Sequence, residues 1–421
     1  MTLLRAAYRL GIALLGLVLR VLAPFHPKIR RGWRGRRNWR SHLAQVRQPG
    51  ERWVWMHCAS LGEFEQGRNL IERLKIDSPA TRVLITFFSP SGYEVRKNYR
   101  QADAVLYLPL DTLPNVRDWL DLLQPELVFW IKYELWLHYL HAMQQRGIPL
   151  LLVSARVTPQ SRFFTSPLAP LYREAFGCFT HIFTQDEASR ASIANFAGHE
   201  RLSVSSDTRY DRVSSNQRDF VPLPEIERFK ADRLCLVAGS TWPSDEQVLL
   251  PSFEAMAARF DLCLIIAPHE IHPERIARQV EAAGERAIRY SQIANLTAAH
   301  RMLWIDNIGM LSRLYHYADV AYVGGAWGTG LHNILEAAVF GCPVLFGPKH
   351  HQFPEAAELI AAEGAFSIQE GAELRARLTQ LLNNEALRAN IRSRNQRFVA
   401  TRAGATAHIV QWCEQAGLWP A

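Results

Sequence analysis

Glu63 stands in Ala59-Ser60-Leu61-Gly62-Glu63-Phe64, where an apolar run ends and a helical pattern begins. In open α/β sheets that edge is where ligands bind. A carboxylate there can take a proton from a hydroxyl nucleophile. It can equally be a first-turn acid that favours a helix N-terminus. Glu134, in Tyr133-Glu134-Leu135-Trp136, follows another apolar run, and the same two readings apply. Arg209, in Ser206-Asp207-Thr208-Arg209-Tyr210-Asp211, can hold an anionic substrate group or form a surface pair with an aspartate.

A second set of motifs lies further along. Residues 320–348 read as a strand (Val320–Val323), a turn holding Gly324, Gly325, Gly328 and Gly330, a helix from His332 or Asn333 to Phe340, and a strand at Cys342–Phe346. Free N–H groups and the dipole of that helix suit a nucleotide, and Glu336 suits a ribose diol. The other reading is a βα turn that needs glycine for tight packing. Gly239-Ser240-Thr241-Trp242 is either an anion-holding turn or a helix cap. Ala267–Glu274 places His269 and His272 beside Glu270 and Glu274, a spacing that invites a metal. Against this, no HExxH is present, Pro273 interrupts the helix such ligation prefers, and the chain has no DxD. A phosphate contact from His269 is the better reading. No P-loop, GxSxG or complete GxGxxG occurs, which disfavours a nicotinamide enzyme.

These motifs need two scaffolds. The 421 residues exceed one core. Strand-like runs near 53–60, 82–88, 104–110, 126–131, 149–156 and 181–185 alternate with helical patterns, including 62–74, 115–125, 134–147 and one from about Tyr93. Such alternation predicts a parallel sheet covered on both faces. Polar residues 211–229, with Pro222 and Pro224, read as a linker. Runs at 234–240, 262–268, 302–306, 320–325 and 343–347 form a second α/β series, followed by a helical C-terminus. Two Rossmann-like halves in tandem predict a ligand cleft between domains.

The charge is uneven. Residues 1–50 hold eleven Lys/Arg and no acid, whereas the other 371 hold 37 basic and 40 acidic groups. A nucleic-acid-binding body is therefore disfavoured, and the basic arm is expected to meet an anionic surface. Residues 10–19 are apolar but short for a spanning helix. At 100° per residue Arg5, Arg9 and Arg20 fall within about 60° of one another, as in an interfacial amphipathic helix. A signal peptide is the competing reading, but Pro24–Pro27 stands where a cleavage site would be. Residues 28–40 add seven cations and two tryptophans, which marks the cytoplasmic side of a membrane. Six scattered cysteines without CxxC spacing read as reduced, buried thiols.

In order and spacing, HCASLGE, SPSGYE, YELW, VSARV at 153–157, SSDTRYDRV, GSTWPSDE, APHEIHPERI and GGAWGTGLHNILEAAVFGCPVLFGP resemble the Kdo (3-deoxy-D-manno-octulosonic-acid) transferases of lipopolysaccharide assembly. The resemblance implies an α/β GT-B fold: a membrane-anchoring helix and basic arm (1–40), an acceptor-binding domain (41–215) and a CMP-sugar-binding domain (216–421). It implies metal-independent, inverting transfer of Kdo from CMP-Kdo to the lipid A precursor, with no cofactor and no nucleic acid, on the cytoplasmic side of the inner membrane of a Gram-negative bacterium. Glu63 matches the family's catalytic base, and Glu134 and Arg209 the positions thought to stabilise the transition state. Pro268, His269, Ile308, Gly309, Met310, Asn333, Ile334, Leu335 and Glu336 match CMP-binding segments. Three positions depart from the pattern: Arg209 stands where many members have Lys, His269 where many have Arg, and Lys132 where an acid is common. A GT-B enzyme using a UDP-sugar is the alternative. A membrane-tethered scaffold is a third reading, opposed by the joint retention of Glu63, Arg209 and Glu336.

Overall fold

Fourteen strands, all paired in parallel, build two seven-stranded sheets in the computed structural model, which describes residues 2–420 apart from 49, 133 and 329. Parallel strands buried on both faces need continuous apolar runs. The strand β1 (Trp53–Cys58) is buried at every position, as are β4 (Leu127–Ile131) and β5 (Leu150–Ala155).

The first unit runs to Arg212 and takes in the segment from Ala403. With β2 (Arg82–Phe87), β3 (Ala104–Tyr107), β6 (His181–Thr184) and β7 (Leu202–Val204), its sheet order is β3-β2-β1-β4-β5-β6-β7. The direction of winding reverses between β1 and β4, and open α/β sheets bind ligands at such a switch point. Three helices precede β1: α1 (Thr2–Leu22), α2 (Pro27–Gly35) and α3 (Trp39–Val46). Between strands follow α4 (Leu61–Asp77), α5 (Pro90–Arg96), α6 (Leu113–Leu123) and α7 (Leu137–Gln145). The expected start of α5 near Tyr93 moves forward, because Ser89 caps the Ser91 amide and Pro90 fits the first turn.

The second unit spans Val213–Arg402. Its strands are β8 (Leu234–Thr241), β9 (Leu262–Pro268), β10 (Ala287–Arg289), β11 (Met302–Trp304), β12 (Val320–Val323), β13 (Val344–Phe346) and β14 (Ala365–Ser367). They are ordered β10-β11-β9-β8-β12-β13-β14, so the switch point lies between β8 and β12.

Two expectations need correction. The stretch read as a linker is largely two helices, Thr208–Arg218 and Pro224–Lys230, and Pro224 starts the second rather than breaking it. The C-terminal helix Ala405–Gln415 groups with the first unit, not the second. Its apolar face, with Ile409, Val410 and Cys413, completes the core beside β1, β2 and β4, and Trp412 stacks on His181 at 4.2 Å. All six cysteines are buried with free thiols.

The basic arm is partly committed to the protein. Trp39 is buried against Trp119 at 5.3 Å, and Arg40 pairs with Asp118 at 2.8 Å. Arg36 donates to the carbonyls of Leu108 (2.9 Å) and Phe88 and lies over the Phe88 ring; burial pulls its pKa down to about 10. Lys28, Arg30, Arg31, Arg34 and Arg37 stay exposed. One side of α1, with Leu4, Tyr8 and Ile12 at helical spacing, faces the first unit, and the Tyr8 hydroxyl donates to buried Asp111 at 2.5 Å. The other side leaves Leu3, Leu10, Leu14, Leu17, Val18 and Val21 exposed. By length and composition α1 could cross a membrane, with a mean hydropathy of 1.6.

Candidate functional site

In the first unit the chemistry gathers at the carboxyl ends of β1 and β4, on either side of the switch point. Ser60 is the extended residue before α4, which sets Glu63 in the first turn. Its Oε2 accepts from the Ala59 amide. Burial pushes the Glu63 carboxyl up to about 7; the Glu134 charge adds to this, while the Ala59 amide and the Lys132 ammonium oppose it. A carboxylate of that basicity is suited to taking a proton near neutral pH.

Glu134 is not a helix-terminus acid. α7 opens only at Leu137, and Glu134 sits in the preceding loop. Its carbonyl accepts from the Trp130 indole at 2.6 Å and from the Trp136 amide at 3.0 Å. Its Oε2 accepts from His57 Nε2 (3.0 Å) and Trp136 Nε1 (3.1 Å). Tyr133 of the same motif lies outside the described residues.

Arg209 is held by its neighbour. Asp207, buried and facing five donors, takes the Gln66 amide (3.1 Å) and the Arg209 backbone N–H (2.9 Å) on Oδ1. On Oδ2 it takes the Gln185 amide (2.9 Å) and Arg209 Nε and Nη2 (2.9 and 2.8 Å). Despite burial, these bonds hold its pKa below the ordinary aspartate value. Gln66 lies one turn beyond Glu63 on α4, so one carboxylate ties Arg209 to the helix that carries Glu63. The surface-pair reading is therefore wrong for the aspartate, which is interior.

Backbone strain marks the same edge. Lys132 after β4, Ser154 in β5 and Ser206 after β7 all have φ between 58° and 70°. Non-glycine residues there cost of order 1–3 kcal/mol each and concentrate at functional sites.

In the second unit the glycine-rich turn is a packed loop rather than an open anion nest. The Gly324 amide donates to Gly239 O, Gly325 to Asp245, Gly328 and Gly330 to Gly325 O, and His332 to Gly324 O. A Cβ on Gly324 would lie 2.4 Å from Ser240 O, and one on Gly325 would lie 2.3 Å from Gly330 O; Gly325 also has φ 95°. Here the tight-packing reading holds. Buried Asp245 ties the β8 and β12 turns together, accepting from Trp242 N (2.8 Å), Gly325 N (3.0 Å) and Tyr322 Oη (3.0 Å). The expected helix from 332 to 340 shrinks to one turn, Leu335–Ala338, because Asn333 Oδ1 caps the Leu335 amide and Gly341 lies against Arg392. One turn carries little of the dipole expected there.

A cavity of about 180 Å³ opens instead beside β9 and β11. Ser240, Pro268, His269, Asn307, Ile308 and Met310 are among the residues that line it. Ile308 is 90% exposed on its rim. Thus Pro268, His269 and 308–310 share one wall, whereas 333–336 do not line it. Asn333 Nδ2 donates to Glu336 Oε1 at 3.2 Å, and the Glu336 charge helps raise the Tyr315 pKa, after burial. His269 stacks between Trp242 (4.8 Å) and His332 (4.2 Å), and Trp242 Nε1 donates to His332 Nε2. Burial, then the neighbouring His269, lowers His332 to about 4, and burial also lowers His269. His269 and His272 gather no acids into a metal cluster among the described residues.

The family model described as 3-deoxy-D-manno-octulosonic-acid transferase (kdotransferase) matches residues 32–212. A 3-deoxy-D-manno-octulosonic acid transferase of Haemophilus influenzae is 26% identical over 372 residues, 86% of each chain. By these matches the chain is similar to the Kdo transferases. A Chlamydia trachomatis transferase of the same name is 27% identical over 341 residues, 79% of this chain and 78% of its own. The fold is shared with a UDP-GlcNAc 2-epimerase from Neisseria meningitidis (TM-score 0.60, 15% identity, 85% of this chain, 98% of that one). A putative epimerase from Listeria monocytogenes is similar (TM-score 0.59, 14% identity, 86% and 95%). The chain itself is built of two Rossmann-like halves. Glu63, Glu134 and Arg209 all fall inside the matched stretch.

His57, Asp207 and Asp245 were not singled out in the sequence. For His57 a signal existed: a histidine inside WVWMHC, a run buried throughout, must find partners for both ring nitrogens.

Proposed function

We propose that this chain transfers Kdo from CMP-Kdo to a hydroxyl of the lipid A precursor in lipopolysaccharide biosynthesis. The observation that carries this is Glu63, raised to about 7 beside Glu134 at the switch point of a chain similar to the Kdo transferases. Glu63 takes the proton of the acceptor hydroxyl, the glucosamine 6′-hydroxyl that the family resemblance implies. The hydroxyl oxygen bonds to the anomeric carbon of Kdo, the bond from that carbon to phosphate breaks, and CMP leaves. One displacement inverts the configuration, and no metal or cofactor takes part. Arg209, oriented by Asp207, faces the sugar carboxylate or the developing charge. In the second unit, Pro268, His269 and Ile308–Met310 hold part of the nucleotide. Their cavity is smaller than the roughly 300–1,000 Å³ of whole-ligand pockets, so Asn333–Glu336 contributes separately, with Glu336 on the ribose.

Saturating CMP is expected to raise the unfolding temperature, with about 2.7 kcal/mol of stabilisation at 100-fold over Kd, and UMP to do much less. Glu336→Ala should weaken the CMP effect. Equal protection by UMP would point to a UDP-sugar donor, and an unchanged CMP affinity in the Ala variant would remove Glu336 from the ribose.

The acceptor is an anionic lipid, and we place the enzyme on the cytoplasmic face of the inner membrane. Docked along the first unit through Tyr8, α1 lies in the interface and sinks its exposed leucines into one leaflet. The exposed cations from Lys28 to Arg37 meet the headgroups. Replacing Leu10, Leu14 and Leu17 together by Gln should abolish co-sedimentation with anionic phospholipid vesicles. Protease access to the N-terminus from the far side of the membrane would show instead that α1 spans it.

A further inference from the structure

A single chain of hydrogen bonds runs through the interior of the first unit and ends at Glu134. The Trp55 indole, which can only donate, gives its proton to Thr86 Oγ1 at 2.8 Å. Thr86 Oγ1 lies 2.9 Å from His57 Nδ1, and His57 Nε2 lies 3.0 Å from Glu134 Oε2. A carboxylate at the far end accepts, so the order of donors assigns the proton to His57 Nε2 and the Thr86 hydroxyl proton to the Nδ1 bond. His57 is fully buried, on adjacent strands with Thr86, and its ring packs on Trp130 at 4.3 Å. Everything upstream of Glu134 in this chain is fully buried, whereas the Glu134 side chain is partly exposed.

We propose that His57 is a positioning residue for sugar transfer, holding the Glu134 carboxylate from inside the sheet at a fixed place beside Glu63. This rests on the reading of Glu63 as the base. Without the His57 bond, Glu134 keeps only the Trp136 indole on that oxygen, and that indole belongs to the same loop. Among the described residues no other hydrogen bond ties the Glu134 carboxylate to the sheet, so without His57 it can swing toward water. Charge-assisted bonds of this kind are the strong ones, and a displacement of about 1 Å at a reacting centre can cost on the order of 10²-fold in rate.

The consequence is electrostatic as well as geometric. The charged and titratable groups that face Glu63 are Glu134 and Lys132 from the β4 loop and Cys58 from β1; Glu134 also faces Arg36 of the N-terminal arm. Of these, Glu134 is the like charge that helps hold the Glu63 proton. Moving it outward lets Glu63 ionise at lower pH. A merely structural histidine would leave that ionisation where it is.

The test compares His57→Gln with His57→Asn in the full-length enzyme. Gln carries an N–H at the reach of Nε2 and keeps the bond to Glu134; Asn reaches only as far as Nδ1 and loses it. His57→Asn is expected to lower kcat by on the order of 10²-fold, with KM for CMP-Kdo unchanged and the acid limb of the pH–rate profile moved to lower pH. His57→Gln should restore both. Trp136→Phe, which leaves β1 intact and removes the other donor to Oε2, should move the limb in the same direction, and it stands in if the His57 variants do not fold. An unmoved acid limb and wild-type kcat in His57→Asn, or in Trp136→Phe where that variant stands in, would overturn the proposal. Full activity of Glu63→Gln, measured alongside, would overturn the underlying base assignment instead, so the two failures are told apart.

Discussion

Glu63→Gln is expected to lose transfer by about 10²–10⁴-fold, the range a general base contributes, while CMP still protects the enzyme from thermal unfolding. Gln preserves the shape and can still accept the Ala59 amide through its carbonyl oxygen. It cannot take a proton. Because the residues proposed to hold the nucleotide belong to the second unit, the loss should fall on kcat and leave CMP affinity alone. The wild-type pH profile adds an independent check. A base must be ionised to act, so kcat/KM should rise with pH through an apparent pKa near 7, the value to which burial and Glu134 bring Glu63. Neutralising the neighbour in Glu134→Gln should move that limb down. Near-normal turnover of Glu63→Gln, or a limb at the ordinary glutamate value in wild type, would remove Glu63 from the base role.

How far the sequence reaches differs between the two halves. In the first, β1 and β4 are legible because each is a short run that is apolar but for His57 in β1, and the acids sit where those runs stop. Their placement at a switch point follows from strand order, which periodicity does not encode. β7, β10 and β14 escaped because they are edge strands of three residues each, too short to show a pattern. In the second half the glycine-rich turn misled in a specific way. Glycines signal close backbone approach, but not to what. Here the approaching group is the protein's own chain, Ser240 O and Gly330 O, and the amides expected for phosphate are spent on Asp245 and on the loop itself. The candidate nucleotide wall moves to His269 and the 307–310 loop, whose sequence is unremarkable apart from the family resemblance. Asp207 shows the same limit from the other side. Its neighbour Arg209 drew attention as a cation, yet the five donors that converge on the aspartate come from three separated segments, α4, the end of β6 and its own turn, and only folding collects them.

Asp207→Asn is expected to damage both stability and transfer. Two oxygens now satisfy five N–H donors; an asparagine offers one oxygen and points an amino group at the remaining donors. Breaking a buried charge pair while leaving its partner in place costs about 3–5 kcal/mol, so the unfolding midpoint in urea should fall well outside experimental error. The pH dependence has a definite sign. The folded-state pKa of Asp207 lies below its ordinary value of 3.8, so the stability it contributes is complete above that value and is lost as pH falls through the lower folded value. Wild-type stability should therefore drop on acidification below about pH 4, and the drop should be smaller in Asp207→Asn, which has no proton to take up there. Arg209 remains in the variant, but its Nε and Nη2 lose the acceptor that fixes the direction of the guanidinium. Transfer should fall with kcat rather than with KM for CMP-Kdo, since the residues proposed to hold the donor's nucleotide lie in the second unit. Stability and kcat both at wild-type level would mean that Arg209 is oriented by other contacts and that the interior aspartate is dispensable.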